Sequence, residues 1–184
     1  MVLLYSTEPQ LNSALIPFNL KGVDGKNYSE KDFENARALV IIFMCNHCPY
    51  VKAVIKRFVD FQAKYIDKGV RLVGINSNDA EAYPEDSFEN MINFYNEWKM
   101  NFPYLVDETQ EVAKAYDAQC TPDIYLYDSK GLLKYRGRFD DNWQDETKVK
   151  VRDLENAVEL VLQGKDVDFK QMPSMGCSIK FKSL

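Results

Sequence analysis

The sequence predicts an α/β fold: a central mixed sheet flanked by helices, with an N-terminal hairpin and a helical insertion. Three observations carry this. Residues 38–44, Ala-Leu-Val-Ile-Ile-Phe-Met, are an unbroken apolar run, β-branched at its centre and too short to span a membrane, as in a strand buried on both faces. Directly after it, Val51, Val54, Ile55, Phe58, Phe61 and Tyr65 recur at helical spacing, with Lys52, Lys56, Arg57, Asp60 and Lys64 turned outward. Past a stop at Gly69, residues 70–75 read as a second buried strand, and strand, helix, strand implies a right-handed parallel crossover.

The whole chain, 1–184, reads as one domain. Residues 1–17 lack periodicity and are expected to lie as an arm over it. Residues 18–21 form a short strand, turned at Asp24-Gly25, and 28–35 lead by a short helix into the buried strand. After a polar loop, 76–86, helix resumes with Phe88, Met91, Ile92, Tyr95 and Trp98. Residues 102–106 are extended, and Asp107-x-x-Gln110 resembles a capping box opening a helix through Val112, Ala113 and Tyr116. These aromatic stripes are core, and no cofactor is assigned to them. Thr121-Pro122 opens an alternating strand that Ser129-Lys130-Gly131 turns into an antiparallel one over 132–139; a cis bond before that proline would be a specific feature. A last helix covers 148–163, with Val151, Leu154, Val158, Val161 and Leu162 inward and Gly164 as its stop; 165–184 is a tail without period.

Charge narrows the partners. Twenty-three Lys and Arg against 28 Asp and Glu leave −5, with no basic cluster, so neither nucleic acid nor a membrane surface is expected as partner. The first residues have neither a basic start nor a long apolar run, and a cytoplasmic location is expected. Four cysteines in a chain of this size do not make a disulfide scaffold.

Two of those cysteines, Cys45 and Cys48, stand where the buried strand meets the long helix. Free N–H groups and the positive end of the helix dipole favour an anion there, which lowers a thiol below its ordinary value of about 8.5. Cys45 comes first and is expected to be the more exposed, hence the nucleophile; Cys48, one turn on, can attack a mixed disulfide formed at Cys45. His47 between them, as a cation, would stabilise the thiolate. Other readings stay open: half a zinc site, although no second ligand pair follows; two inert buried thiols; and for His47 an ordinary loop residue. No metal is assigned.

These residues carry a resemblance. The strand running into Cys45-Asn46-His47-Cys48 at a helix start, the crossover, and Thr121-Pro122 opening a hairpin resemble the thioredoxin fold. The longer N-terminal hairpin and the helix around 88–98 resemble its larger branch, the alkyl hydroperoxide reductase/thiol-specific antioxidant (redoxin) superfamily. Cys45–Val51, Cys120–Asp123 and Gly176-Cys177-Ser178-Ile179-Lys180 together are similar to the peroxiredoxin-like thioredoxin-family proteins over about residues 15–182. The resemblance implies a thiol–disulfide oxidoreductase in which Cys45 attacks, Cys48 resolves and Pro122 docks an extended partner, with the Thr121 backbone bonding a substrate strand. Partners would be a disulfide- or dithiol-bearing protein or small thiol, and a thiol electron donor.

Departures from the family are specific. No acidic residue lies in 38–44 to take a proton, so a water or His47 would serve. The Thr or Ser and the Pro that precede a peroxidatic cysteine are absent: those positions hold Cys45 and Ile41 before Cys48, and Ile42 and Ala38 before Cys45. A peroxiredoxin-like thiol peroxidase is therefore the alternative function, with Arg136 or Arg138 as its cation, and a non-catalytic metal-binding protein the second alternative. Cys120 and Cys177 are candidate accessory thiols: Cys120, two residues before Pro122, as a packed side chain or as a thiol that influences or traps a mixed disulfide, Cys177 as structural or as an extra resolving thiol.

Overall fold

The inner strand of the sheet is β4 (Ala38–Phe43), and all its side chains are buried. The computed structural model describes residues 3–183; residues 1, 2 and 184, the outer ends of the expected arm and tail, lie outside them. β4 pairs in parallel with β5 (Val70–Asn76) and antiparallel with β8 (Asp123–Asp128), Ile41 lying between Val73 and Tyr125. With β2 (Asn19–Gly22), β3 (Asn27–Ser29), β6 (Tyr104–Val106) and β9 (Leu133–Arg136), the order is β3-β2-β6-β5-β4-β8-β9. Both parallel and antiparallel pairs occur, so the sheet is mixed, with helices on its faces.

Alternation along β4 sorts two cores. Val40, Ile42 and Met44 pack with α1 (Pro49–Tyr65), α2 (Phe88–Glu97) and α4 (Asp153–Leu162); Leu39, Ile41 and Phe43 pack with Phe18, Tyr116 and Ala113 of α3 (Glu111–Ala115). Gly69 adopts φ 84°, a left-handed conformation open to glycine, and ends the turn after α1 so that β5 can start at Val70.

The arm and tail each supply a strand: β1 (Leu3–Tyr5) and β10 (Met175–Ser178) join β7 (Cys120–Thr121) in a second sheet, ordered β1-β10-β7. Four local expectations are corrected. Arg57 is buried, its guanidinium paired with Asp140 and bonded to the carbonyls of Asn142 and Trp143. Asp107 and Gln110 do not form a capping box: Gln110 sits at φ 63° and its amide bonds the Ser77 and Lys180 carbonyls, while Asp107 accepts from Ala113 N–H at 2.9 Å. β9 ends at Arg136 rather than 139, because Arg138 N–H turns to the Met172 carbonyl. α4 starts only at Asp153, which leaves Val151 outside it and exposed. Among the described residues no helix is long and apolar enough to cross a membrane.

Candidate functional site

β4 ends at Phe43, the chain turns through Met44 to His47, and α1 begins at Pro49 with Cys48 as its N-cap. Proline suits a first helical position, where the N–H it lacks would have no partner. The cap consequently falls on the second cysteine, Cys48, whose backbone is extended there.

Neither thiol is exposed: Cys45 is 1% and Cys48 0% accessible, so the expected greater exposure of Cys45 is not found. The loop before α2 bonds to the turn between them. Asn46 N–H donates to Asp86 Oδ1 at 2.7 Å, and Asn46 Nδ2 donates to the Glu85 carbonyl at 3.0 Å. From the opposite side come Thr121 and Pro122, joined by a cis peptide bond. In its protonated form Cys48 Sγ donates to the Thr121 carbonyl at 3.1 Å, and Cys45 Sγ lies 3.5 Å from Thr121 Oγ1.

The pair ionises in two well-separated steps. Cys48 is pushed down to about 5, chiefly by the hydrogen bond from the Cys45 thiol, with Thr121, Cys177 and Val51 N–H adding to it against the cost of burial. Cys45 is held well above the ordinary thiol range, first by that same contact, then by burial and by the Asp86 charge. The expected order of acidity is thereby reversed. Burial costs both thiolates, but Cys48 gains hydrogen bonds from Cys45, Thr121 and Cys177, whereas Cys45 faces the Asp86 charge.

That carboxylate is the functional residue the sequence reading missed. Asp86 is buried and takes three hydrogen bonds: from Asn46 N–H, from Asn78 Nδ2 at 2.7 Å, and with His47 Nδ1 at 2.6 Å. The His47 ring also stacks on Tyr83, planes 3° apart. Ligand atoms of Cys45, His47 and Asp86 lie within 4.8 Å of one another, a group that could hold a metal ion, although the His47–Asp86 separation is that of a hydrogen bond. A signal for Asp86 existed. The C-terminal ends of adjacent parallel strands converge, so the loop after β5 had to pass beside the one after β4.

Of the accessory thiols, one joins the pair. β10 lies antiparallel to β7 with Cys177 opposite Thr121, and the Cys177 and Cys48 thiols are hydrogen-bonded. The edge expected to receive a substrate strand is thus filled by the chain's own tail. Burial and the contact with Cys48 push the Cys177 thiol up to about 12. Cys120 turns instead to the Pro122 carbonyl at 3.6 Å, and burial pushes its thiol up. Neither candidate cation reaches the thiols: Arg136 is bound by buried Asp123 at 2.8 Å and Arg138 by Asp153 at 3.0 Å. An apolar cleft of about 190 Å³ opens beside Pro122, lined by Tyr5, Tyr50, Trp143, Met172 and Met175.

The chain is similar to several known proteins. The sequence model of the AhpC/TSA family matches residues 11–136. A crystal structure of an uncharacterized conserved protein from Geobacillus kaustophilus is 46% identical, covers 99% of this chain and 97% of its own, and has a TM-score of 0.93. The thiol-disulfide oxidoreductase ResA of Bacillus thuringiensis is 22% identical over 116 residues, 63% of this chain and 62% of the relative. The thiol:disulfide interchange protein DsbE of Tatumella citrea is 28% identical over 128 residues, 66% of this chain and 62% of the relative. The chain thus spans about three fifths of the length of these curated relatives.

Proposed function

The chain belongs to the AhpC/TSA family, and from that premise we propose that it is a thiol–disulfide oxidoreductase working through the Cys45–Cys48 pair. One observation carries the reading: two thiols stand at a helix start against Thr121 and its cis bond to Pro122, Cys48 Sγ 3.1 Å from the Thr121 carbonyl and Cys45 Sγ 3.5 Å from Thr121 Oγ1. A dithiol in that state has one sulfur ready to attack and another ready to follow.

Cys45, as thiolate, bonds to one sulfur of a partner disulfide, and the other partner sulfur leaves. The Cys45 proton passes to the neighbouring Cys48 thiolate. Cys48, whose thiolate is the more stable, then attacks Cys45; the Cys45–Cys48 bond forms and the second partner sulfur leaves. Two electrons have moved from the pair to the partner, and the pair's one proton ends on a partner sulfur, the other leaving as thiolate. Run backwards, the same steps oxidise a dithiol. The partner is a disulfide- or dithiol-bearing protein or small thiol, and a thiol donor restores the reduced pair.

The test is peptide mapping after one equivalent of oxidised glutathione, set against one equivalent of hydrogen peroxide. The expected result is rapid closure of Cys45–Cys48 by glutathione disulfide and slow oxidation by peroxide, because Arg136 and Arg138 are both occupied by carboxylates. Faster closure by peroxide would overturn the reading in favour of a thiol peroxidase. No closure by either would leave the pair structural or metal-binding.

A further inference from the structure

We propose that Cys177 is a third redox thiol of this site, presented to Cys48 by β10 as a bound substrate strand would present its cysteine. The inference rests on the oxidoreductase reading above and adds to it an internal partner.

Register is the first ground. A strand docking beside the Cys45–Cys48 pair would add to the edge of β7, and β10 occupies that edge, with Cys177 opposite Thr121 and Ser178 opposite Cys120. Ile179 N–H extends the ladder to the Gln119 carbonyl at 3.1 Å.

The fit of the strand is the second ground. A Cβ on Gly176 would fall 1.9 Å from the Thr121 carbonyl oxygen and 2.6 Å from its carbon, so only glycine lets the backbone lie this close. Anchors flank it: Ser174 exchanges two bonds with Ser6, and Lys180 N–H donates to Asn78 Oδ1 at 2.8 Å. β10 therefore holds Cys177 where its thiol bonds Cys48, and Cys48 has both Cys45 and Cys177 as thiol partners.

The chemistry is a disulfide exchange with no net change in oxidation state. When the pair is oxidised, the Cys177 thiolate attacks Cys48 Sγ. The Cys48–Cys177 bond forms, the Cys45–Cys48 bond breaks, and Cys45 leaves as thiolate and recovers the proton that Cys177 gave up. The oxidant is the partner disulfide that closed the pair. Cys45 is thereby returned to service, while β10 is tied covalently to the docking edge.

Trypsin separates the thiols, since Cys45 and Cys48 lie in peptide 38–52, Cys120 in 115–130 and Cys177 in 171–180. The full-length Cys45→Ser variant is treated with one equivalent of oxidised glutathione, quenched in acid and mapped. Attack at Cys48 first gives a glutathione adduct, and Cys177 then displaces the second glutathione. The expected product joins 38–52 to 171–180, at least about tenfold over any link to 115–130, whereas the Cys45→Ser/Cys177→Ser double variant keeps its glutathione. Wild-type protein, treated alike, guards against a misfolded variant and is expected to contain the same link beside the Cys45–Cys48 peptide. If Cys45→Ser retains glutathione on Cys48 and wild type shows only Cys45–Cys48, the inference is overturned and the oxidoreductase reading stands. If wild type fails to close the pair at all, that reading falls as well.

Discussion

Three atoms separate the roles of the two paired cysteines. Cys48 Sγ, at the start of α1, meets the Thr121 carbonyl, whereas Cys45 Sγ meets Thr121 Oγ1 and, within 4.8 Å, the Asp86 carboxylate. Hydrogen bonds to an anion favour it and a like charge opposes it, so the sharing of one proton is lopsided. A titration of thiolate ultraviolet absorbance tests this directly. Reduced wild type is expected to show its first ionisation at about 5. In Cys48→Ser that step should vanish and no thiolate should appear below the ordinary thiol range, since Cys45 remains buried beside Asp86. A first step that survives in Cys48→Ser would place the anion on Cys45. A thiol this acidic also stabilises the reduced form, which makes the disulfide the stronger oxidant.

α1 is held at its middle as firmly as at its start. Val51, Val54, Ile55, Phe58, Phe61 and Tyr65 bury its apolar stripe, and Arg57 reaches from it to Asp140 and to the carbonyls of Asn142 and Trp143. The segment it grips also carries Trp143, which packs on Tyr50 of the first turn with ring centroids 4.3 Å apart. Removing one partner of a buried ion pair leaves the other charge uncompensated, at a cost of about 3–5 kcal/mol. Arg57→Ala is expected to lose that much in urea unfolding. Lys56→Ala is its control, because the Lys56–Asp60 pair is exposed; equal losses in the two variants would contradict the assignment. Sequence periodicity drew α1's apolar stripe correctly but turned Arg57 outward. A guanidinium at the border of the stripe goes inward when a distant carboxylate meets it, and Asp140 stands 83 residues away.

For the whole molecule, the site cysteines link stability to pH. Cys48 ionises at about 5 when folded against an ordinary value of 9.0, so between these values the folded chain binds fewer protons and stability rises with pH. Cys45 and Cys177 are shifted the other way. Above 9.0 the unfolded chain loses protons that the folded chain keeps, so their contribution falls. The stability of reduced wild type, less that of a Cys45→Ser/Cys48→Ser/Cys177→Ser variant, is therefore expected to climb from about pH 5, peak near pH 9 and decline beyond it. A flat difference across that range would remove the charge assignment. The two sheets meet at the same place: β7 belongs to the small one, β8 follows it directly in the large one, and Pro122 lies between.

What the sequence determined by itself was local in range. An unbroken apolar run, a period of 3.6 after it and a Thr-Pro before an alternating strand are written in adjacent residues, so β4, α1, β5 and β8 were legible, as was a Cys-x-x-Cys at a helix start. The helix boundary was legible to within a residue or two, and that margin decided which cysteine is the cap. Only the tertiary structure brought Asp86 to His47, Asp140 to Arg57 and Cys177 to Cys48. Each of these contacts joins residues tens of positions apart. Its energy comes from burial and hydrogen bonding across elements, and a periodic pattern records which face of an element is buried but not what it meets there.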